Sequence, residues 1–373
     1  MYNFRMPLAR ALRERGYDVV LVFPFGRFLG KIQEEGFRCV HWLLERGGMN
    51  PLRDLPAIWR LVRIYRQERP QVVHHFTIKP NLYGSLAVRW ASVDHGQSLR
   101  HPAVINTFTG LGFLFSGSLR ARILQKAIMP LLRYSLHMTG VWTVFYNGAD
   151  MDFFLRRRLV PRSRVAVIPG SGIDLRRFSP DGHVGSLGDA PVTIVMACRL
   201  LWDKGVGEFV EAARELQGKG LPVRFRLVGG RDPGNPACIP ERLLQRWHRE
   251  GLIEWLGHRD DMPDLLREAH VAVLPSYHEG APKFLLEAAA CGLPLVATDI
   301  EGCRRIVRHG ENGFLVPPRD ARALAEALEL LVRNPEMRRR MGQASRALAV
   351  QEFDERKVNA QWLDLYEKVL REG

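Results

Sequence analysis

Ten short runs rich in apolar and β-branched residues, set apart by stretches of helical periodicity, dominate this chain of 373 residues. In the first half they cover residues 17–23, 72–76, 103–107, 142–146 and 165–168. In the second half they cover 192–196, 223–228, 253–256, 271–274 and 295–298. Helical patterns such as 58–67 and 81–90 lie between them. Strands that alternate with helices in this way build a parallel sheet covered by helices on both faces. Around Ser179-Pro180-Asp181-Gly182 the composition becomes loop-like, and the alternation then starts again. The spacing therefore predicts α/β architecture in two doubly wound, Rossmann-like domains facing a cleft, over residues 1–180 and 187–354, with a last helical stretch in 355–373. Sheets of this kind bind ligands beyond the carboxyl ends of their strands. The loops after the strands are accordingly where functional residues are sought.

The charge is uneven. Residues 1–180 carry 27 Lys+Arg against 11 Asp+Glu, whereas 181–373 carry 27 against 29, so the net +14 comes from a first half at +16 and a second at −2. No acid stands between Asp94 and Asp150. Within that span Phe113 and Phe115 precede a helical pattern carrying Arg120, Arg122, Lys126 and Arg133. Aromatic and basic residues on an amphipathic helix suit an anionic membrane surface. The alternative is an ordinary domain helix with a solvated basic face. Nucleic acid is not expected as a partner, because no zinc-finger spacing or RNP-like aromatic motif accompanies the charge. Five scattered cysteines without a C-x-x-C pair point to a reducing compartment with neither disulfide framework nor structural zinc. No apolar run reaches the length of a spanning helix.

Chemistry concentrates after residue 197. The run 271–275 leads into a polar loop with Glu279, and Glu287 falls two turns into the helix that opens near Pro282. Unpartnered N–H groups and a positive dipole at that helix start form a seat for phosphate, with Gly280 and Ala281 just ahead of it. Carboxylates on either side suit sugar hydroxyls, which donate hydrogen bonds. Arg199 and Lys204, five apart after another strand, supply two cations for a diphosphate leaving group. Gly229 ends a third strand and leaves room for close backbone approach. The pair Asp150 and Asp152 has the D-x-D spacing of a metal-nucleotide site. It follows Asn147-Gly148 as the first turn of a helix would, and it reads as a cap; no metal and no cofactor is expected.

The stretch from Glu279 through Leu286-Glu287-Ala288 to Cys291-Gly292-Leu293-Pro294, together with Arg199 and Lys204, resembles the E-x7-E and R-x4-K elements of retaining glycosyltransferase family 4. The resemblance implies the GT-B fold, in which the last helical stretch, 355–373, returns to the first domain. It also implies that Glu279, Arg199 and Lys204 carry catalysis, that the main chain at Gly280 and Ala281 faces the donor diphosphate, that the strand-end Gly229 lets backbone approach the nucleotide, that Glu287 holds ribose hydroxyls, and that the turn at His258 holds the base. Members of that family usually begin with a strand, whereas this chain begins with a helical pattern through Leu8 and Leu12 to Gly16, so the first strand of the N-terminal domain is expected to be missing. The family commonly has Glu where Arg305 stands.

Residues 72–85, 104–113, 144–147 and 169–174 resemble the branch of the family that extends undecaprenyl-diphosphate-linked glycans. This second resemblance implies a UDP-sugar donor and a polyprenyl-diphosphate-linked acceptor. Lys79, Asn106 and Thr109 are the acceptor-side candidates, and the enzyme is expected to be cytoplasmic and peripheral on the inner face of the membrane. His74 and His75 lie at a strand end, where histidines are more often packed than catalytic. A UDP-sugar 2-epimerase on the same fold and a non-catalytic nucleotide- or lipid-binding relative are the competing readings. The intact Arg199, Lys204, Glu279 and Glu287 speak against both.

Overall fold

The computed structural model describes residues 2–26, 28–44, 51–92, 101–110, 119–138, 140–170, 172–180 and 191–372. They divide into unit 1, Met1–Ser171 with Arg356–Gly373, and unit 2, Gly172–Glu355.

Unit 1 runs α1 (Tyr2–Glu14), β1 (Val20–Phe23), α2 (Leu29–Glu34), β2 (Arg38–His41), α3 (Pro51–Glu68), β3 (Val72–Phe76), α4 (Ile78–Ala91), β4 (Ala103–Phe108), α5 (Leu119–Leu136), β5 (Val141–Phe145), α6 (Gly148–Arg156) and β6 (Val165–Val167). All pairings are parallel, but they form two ladders, β1-β2 and β3-β4-β5-β6. Every residue of β4 and β5 is buried, as expected of parallel strands covered on both faces. The small ladder has its own core, where Met6 and Ala9 of α1 and Ile32 of α2 meet Leu21 and Phe37. Val22 and Val40 point the other way, onto the larger core of α3, α4 and the four-stranded sheet. Helix α4 is buried almost throughout its length. A Cβ at Gly84 would stand 2.2 Å from the His75 ring, so only glycine lets this helix lie against β3.

Unit 2 runs β7 (Val192–Ala197), α7 (Val206–Gly218), β8 (Val223–Val228), α8 (Glu241–Arg249), β9 (Glu254–Gly257), α9 (Met262–Arg267), β10 (Val271–Leu274), α10 (Lys283–Ala290), β11 (Leu295–Thr298), α11 (Glu301–Arg304), β12 (Gly313–Val316), α12 (Ala321–Arg333) and α13 (Pro335–Glu352). Its six parallel strands lie in the order β12-β11-β10-β7-β8-β9. Alternate side chains feed two cores: Ile194, Met196, Val271 and Val273 enter one, while Val195, Ala272 and Leu274 enter the other. The chain winds outward from β7 in one direction and restarts at β10 in the other. The topological switch point of the sheet is therefore between β7 and β10. A final helix, α14 (Glu355–Glu372), returns to unit 1.

The division falls at Ser171/Gly172 and not at residue 180. Ile173 N–H donates to Phe353 O at 2.8 Å and Glu355 N–H donates to Ile173 O at 3.0 Å, which binds the segment after 171 to unit 2. Phe178 is buried in the unit 2 core, and Arg346 Nη1 donates to its carbonyl at 2.9 Å. The loop-like composition begins after this anchored stretch. The two strands that the apolar runs did not reveal, β2 and β12, have four residues each and are only partly buried. Helix α3 starts seven residues before the predicted pattern at 58, and Pro56 lies inside it.

Candidate active site

Two loops flank the switch point of unit 2. The first leaves β7 at Ala197 and passes Arg199 and Lys204 before Gly205 opens α7. Gly205 has φ +76°, and a Cβ there would lie 2.1 Å from Pro275 O, so the turn is pressed against the second loop at a point where a side chain cannot fit. That second loop leaves β10 at Leu274 and carries Ser276, Tyr277, His278 and Glu279 toward α10.

The loops are joined by charge. Lys204 Nζ donates to Glu279 Oε1 at 2.7 Å, and it also lies 3.4 Å from His278 O and 3.5 Å from Ser276 Oγ. Both side chains are mostly enclosed, with 15% and 16% of their surface exposed. A pair this poorly hydrated is screened less than a surface pair. Main-chain and side-chain bonds fix the second loop: Tyr277 N–H donates to Asp203 O at 2.9 Å, Tyr277 OH to Glu208 Oε1 at 2.6 Å, and Thr298 Oγ1 to Ser276 O. At the start of α11, Gly302 packs directly on the Glu279 peptide; a Cβ there would be 2.3 Å from Glu279 O.

Arg199, the other expected cation, is held elsewhere. Its Nη1 donates to Asp232 Oδ2 at 3.2 Å in the loop after β8, and its side chain is 63% exposed. The structure thus brings Lys204 and Glu279 together and leaves Arg199 on a solvated partner. Glu287 lies within α10, 3.8 Å from Lys283 Nζ one turn earlier. Burial holds its carboxyl above the usual range, opposed by the Lys283 and Arg177 charges. Burial likewise lowers the Lys283 ammonium, opposed mainly by Glu287. The N–H groups of Gly280 and Ala281, ahead of α10, have no hydrogen-bond partner among the described residues.

Gly229 has φ +152°, and a Cβ there would meet Cys198 O at 1.9 Å. Its glycine is thus required by the loop after β7, a neighbour the sequence does not reveal. Gly229 N–H donates to Gly257 O at 2.7 Å, which sets the turn at His258 beside it. His258 Nε2 is 3.4 Å from Asp260 Oδ1. Arg305 is half-buried, and dehydration lowers its guanidinium against the pull of Glu352 and Glu301.

The candidates in unit 1 have interior partners. Asn106, expected on the acceptor side, is completely buried; its Oδ1 faces His75 Nδ1 at 2.8 Å and its Nδ2 donates to Ser85 Oγ at 2.8 Å. Its side chain therefore serves a buried polar network and does not reach a ligand. Lys79 Nζ is 3.0 Å from Asp54 Oδ2, which also accepts from Tyr83 OH at 2.6 Å, so its charge is already answered. Thr109 is half-buried just past β4. His75 is buried and bonded through Nε2 to Tyr65 OH at 2.8 Å, and burial brings it down to about 4. His74 lies 2.9 Å from Tyr366 OH and 2.7 Å from Thr107 Oγ1, with burial again the main cause of its lowered pKa. Both are packed, neutral histidines.

Asn147 caps α6, accepting from Asp150 N–H at 2.7 Å while its Nδ2 donates to Asp150 Oδ2 at 3.0 Å, so the D-x-D motif forms the first turn of a helix. Among the described residues no group of three or more His, Cys, Asp or Glu could hold a metal. Phe113 and Phe115 lie outside the described residues, as do the side chains of Arg120 and Arg122. Lys126 and Arg133 are exposed on α5, near exposed Leu131 and Tyr134. No described helix is long and apolar enough to cross a membrane.

Sequence reasoning missed Asp232, Gly302 as the seat of the Glu279 peptide, and the Tyr277–Glu208 bond. The residues of that bond are 69 positions apart. No periodic signal links such distant positions; only the sheet topology does.

A family model described as Glycosyltransferase Family 4 matches residues 6–177, and one described as Glycosyl transferases group 1 matches residues 191–334. The N,N'-diacetylbacillosaminyl-diphospho-undecaprenol alpha-1,3-N-acetylgalactosaminyltransferase of Campylobacter jejuni is 29% identical over 381 residues, spanning 100% of this chain and 96% of that protein. The UDP-Gal:alpha-D-GlcNAc-diphosphoundecaprenol alpha-1,3-galactosyltransferase of Escherichia coli is 26% identical, over 74% of this chain and 70% of its own length. Among solved structures, sucrose-phosphate synthase from Thermosynechococcus elongatus superposes with a TM-score of 0.77 at 20% identity, covering 98% of this chain and 92% of that one. Anabaena HepE in complex with UDP and glucose has a TM-score of 0.77 at 18% identity, covering 97% and 94%. At these identities the structural likeness shows the fold, which is GT-B.

Proposed function

This chain belongs to glycosyltransferase family 4, and from that premise we propose that it moves a sugar, an N-acetylhexosamine by its likeness to the Campylobacter enzyme, from a UDP-sugar to a polyprenyl-diphosphate-linked glycan. The observation that carries the reading is the enclosed Lys204–Glu279 pair at the switch point of unit 2, beside the unpartnered N–H groups of Gly280 and Ala281. A carboxylate, an ammonium and free amides within one crevice complement a sugar joined to a diphosphate.

In the proposed mechanism the amides and Lys204 meet the diphosphate, and Arg199 leaves Asp232 to join them. Glu279 accepts hydrogen bonds from the transferred sugar and Glu287 from the ribose. The bond from the anomeric carbon to the β-phosphate oxygen breaks, and a bond to the acceptor oxygen forms on the same face, retaining configuration. The acceptor hydroxyl gives its proton to the departing diphosphate. Cations positioned for charge that grows in the transition state supply the rate, in the place a metal takes in other transferases. Unit 1 takes the acceptor, and the exposed basic residues of α5 help hold the enzyme at the inner face of the membrane.

The test is nucleotide release from a panel of UDP-sugars, with and without a polyprenyl-diphosphate-linked sugar, and with and without a chelator. Acceptor-dependent UDP release that survives chelation, with a product of unchanged anomeric configuration, is expected. Conversion of a free UDP-sugar without acceptor would instead establish the epimerase reading.

A further inference from the structure

We propose that the outer face of α3, with the hollow beside it, is a docking surface for an anionic bilayer. The proposal rests on the reading that the acceptor is lipid-linked. It is independent of the basic residues on α5.

A hollow of about 570 Å3 opens between β2 and α3, lined among others by His41, Pro56, Trp59, Arg60, Arg63 and Gln67. Leu55, Pro56, Trp59, Arg60 and Arg63 follow one another at helical spacing, so they share one face of α3. That face is open: Trp59 is 54% exposed and Leu55 38% exposed, with Arg60 and Arg63 also exposed. The indole of Trp59 is fixed against Trp90, ring centres 5.4 Å apart. Phe25, itself exposed, lies tilted against His41 with ring centres 4.6 Å apart, and Leu43 is exposed just past β2. Exposed apolar and aromatic groups thus accompany the cations of this face.

The charges identify the partner. Helix α3 carries two described acids, and both are used elsewhere: Asp54 is buried on Lys79 and Tyr83, and Glu68 is paired with Arg38. No described carboxylate pairs Arg60 or Arg63, although ion pairs are common over the rest of this surface. Two unneutralised guanidiniums beside a fixed indole match the headgroup layer of an anionic membrane. Arginine binds phosphate through paired N–H groups, and tryptophan partitions to the interface. A nucleic acid would answer the arginines but not Leu43, Leu55 and Phe25, whose burial needs an apolar phase.

The experiment is co-sedimentation of the full chain with phosphatidylcholine vesicles containing or lacking phosphatidylglycerol, for wild type, Trp59→Ala and Arg60→Ala/Arg63→Ala. A basic residue near an anionic surface is worth about fivefold in partitioning, so the double variant should bind about 25-fold more weakly. Binding should need phosphatidylglycerol and fall with salt. Transfer to an acceptor embedded in vesicles should fall in parallel, while transfer to a short-chain, water-soluble acceptor stays unchanged. Equal vesicle binding by wild type and variants would overturn the proposal, as would an equal loss with the soluble acceptor, which would put these residues in the active site. Concentration-dependent dimerisation lost in the variants would make the face a contact between copies. If vesicle binding behaves as expected but no UDP is released with any acceptor, the proposed reaction fails and the surface stands.

Discussion

Replacing Gly302 with alanine isolates what holds Glu279 in place. The torsions of Gly302 are ones that alanine adopts, so the substitution adds a methyl group without backbone strain. That methyl would stand 2.3 Å from Glu279 O, 2.7 Å from Glu279 C and 3.0 Å from Gly280 O. Ordinary contact needs roughly 3.4 Å or more, so the Glu279 peptide or α11 must move by about 1 Å. A displacement of that size at a reacting centre costs about 100-fold in rate, or about 2.7 kcal/mol of transition-state stabilisation. Overpacking should also lower stability by about 1–3 kcal/mol. The two effects separate against Gly313→Ala, where a Cβ would strike Leu295 O at 1.9 Å inside the sheet. That variant should lose stability with little change in the turnover of the folded fraction. The assay is kcat for acceptor-dependent UDP release, read beside thermal unfolding and UDP affinity. A folded Gly302→Ala enzyme with kcat within about threefold of wild type would refute the claim that this contact sets the position of Glu279.

Removing the Asp232 carboxylate should free Arg199 for the donor: an exposed ion pair is worth up to about 1 kcal/mol, so Asp232→Ala should lower KM for the UDP-sugar by up to about fivefold. A large rise in KM would mean that Asp232 itself touches the donor. Acid should weaken unit 1 through His75, whose pKa falls from 6.5 unfolded to about 4 folded because of burial. The unfolded chain takes up the proton first, so the stability due to His75 is complete above about pH 6.5 and is lost as pH falls toward 4. The full difference is about 3 kcal/mol. Urea unfolding of wild type and His75→Gln at pH 7 and pH 5 tests this; a wild-type midpoint that does not fall, or one that falls equally in the variant, would exclude His75 as the cause.

Those residues that periodicity or a compact motif governs were legible in the sequence. β10 and β11 lie where their apolar runs stand, because a strand buried on both faces needs a nearly continuous run of apolar side chains. Lys204 and Glu279 were legible as chemical types, and the parallel order of the sheet explains why residues 75 positions apart form a pair: their loops leave adjacent strands at the switch point. What the sequence could not show are relationships that exist only across that crevice. Arg199 and Lys204 appear as equal cations five positions apart, yet one is enclosed with Glu279 while the other reaches out to Asp232. Asn106 and Lys79 have the polarity of ligand contacts, but whether such a group faces a ligand or the interior depends on partners from α3 and α4. The same limit hid the face of α3. Its arginines look ordinary in a basic domain until Asp54 and Glu68 are seen to be paired away from it. In this chain composition supplies the charges, and only the packing decides which of them are left for a partner.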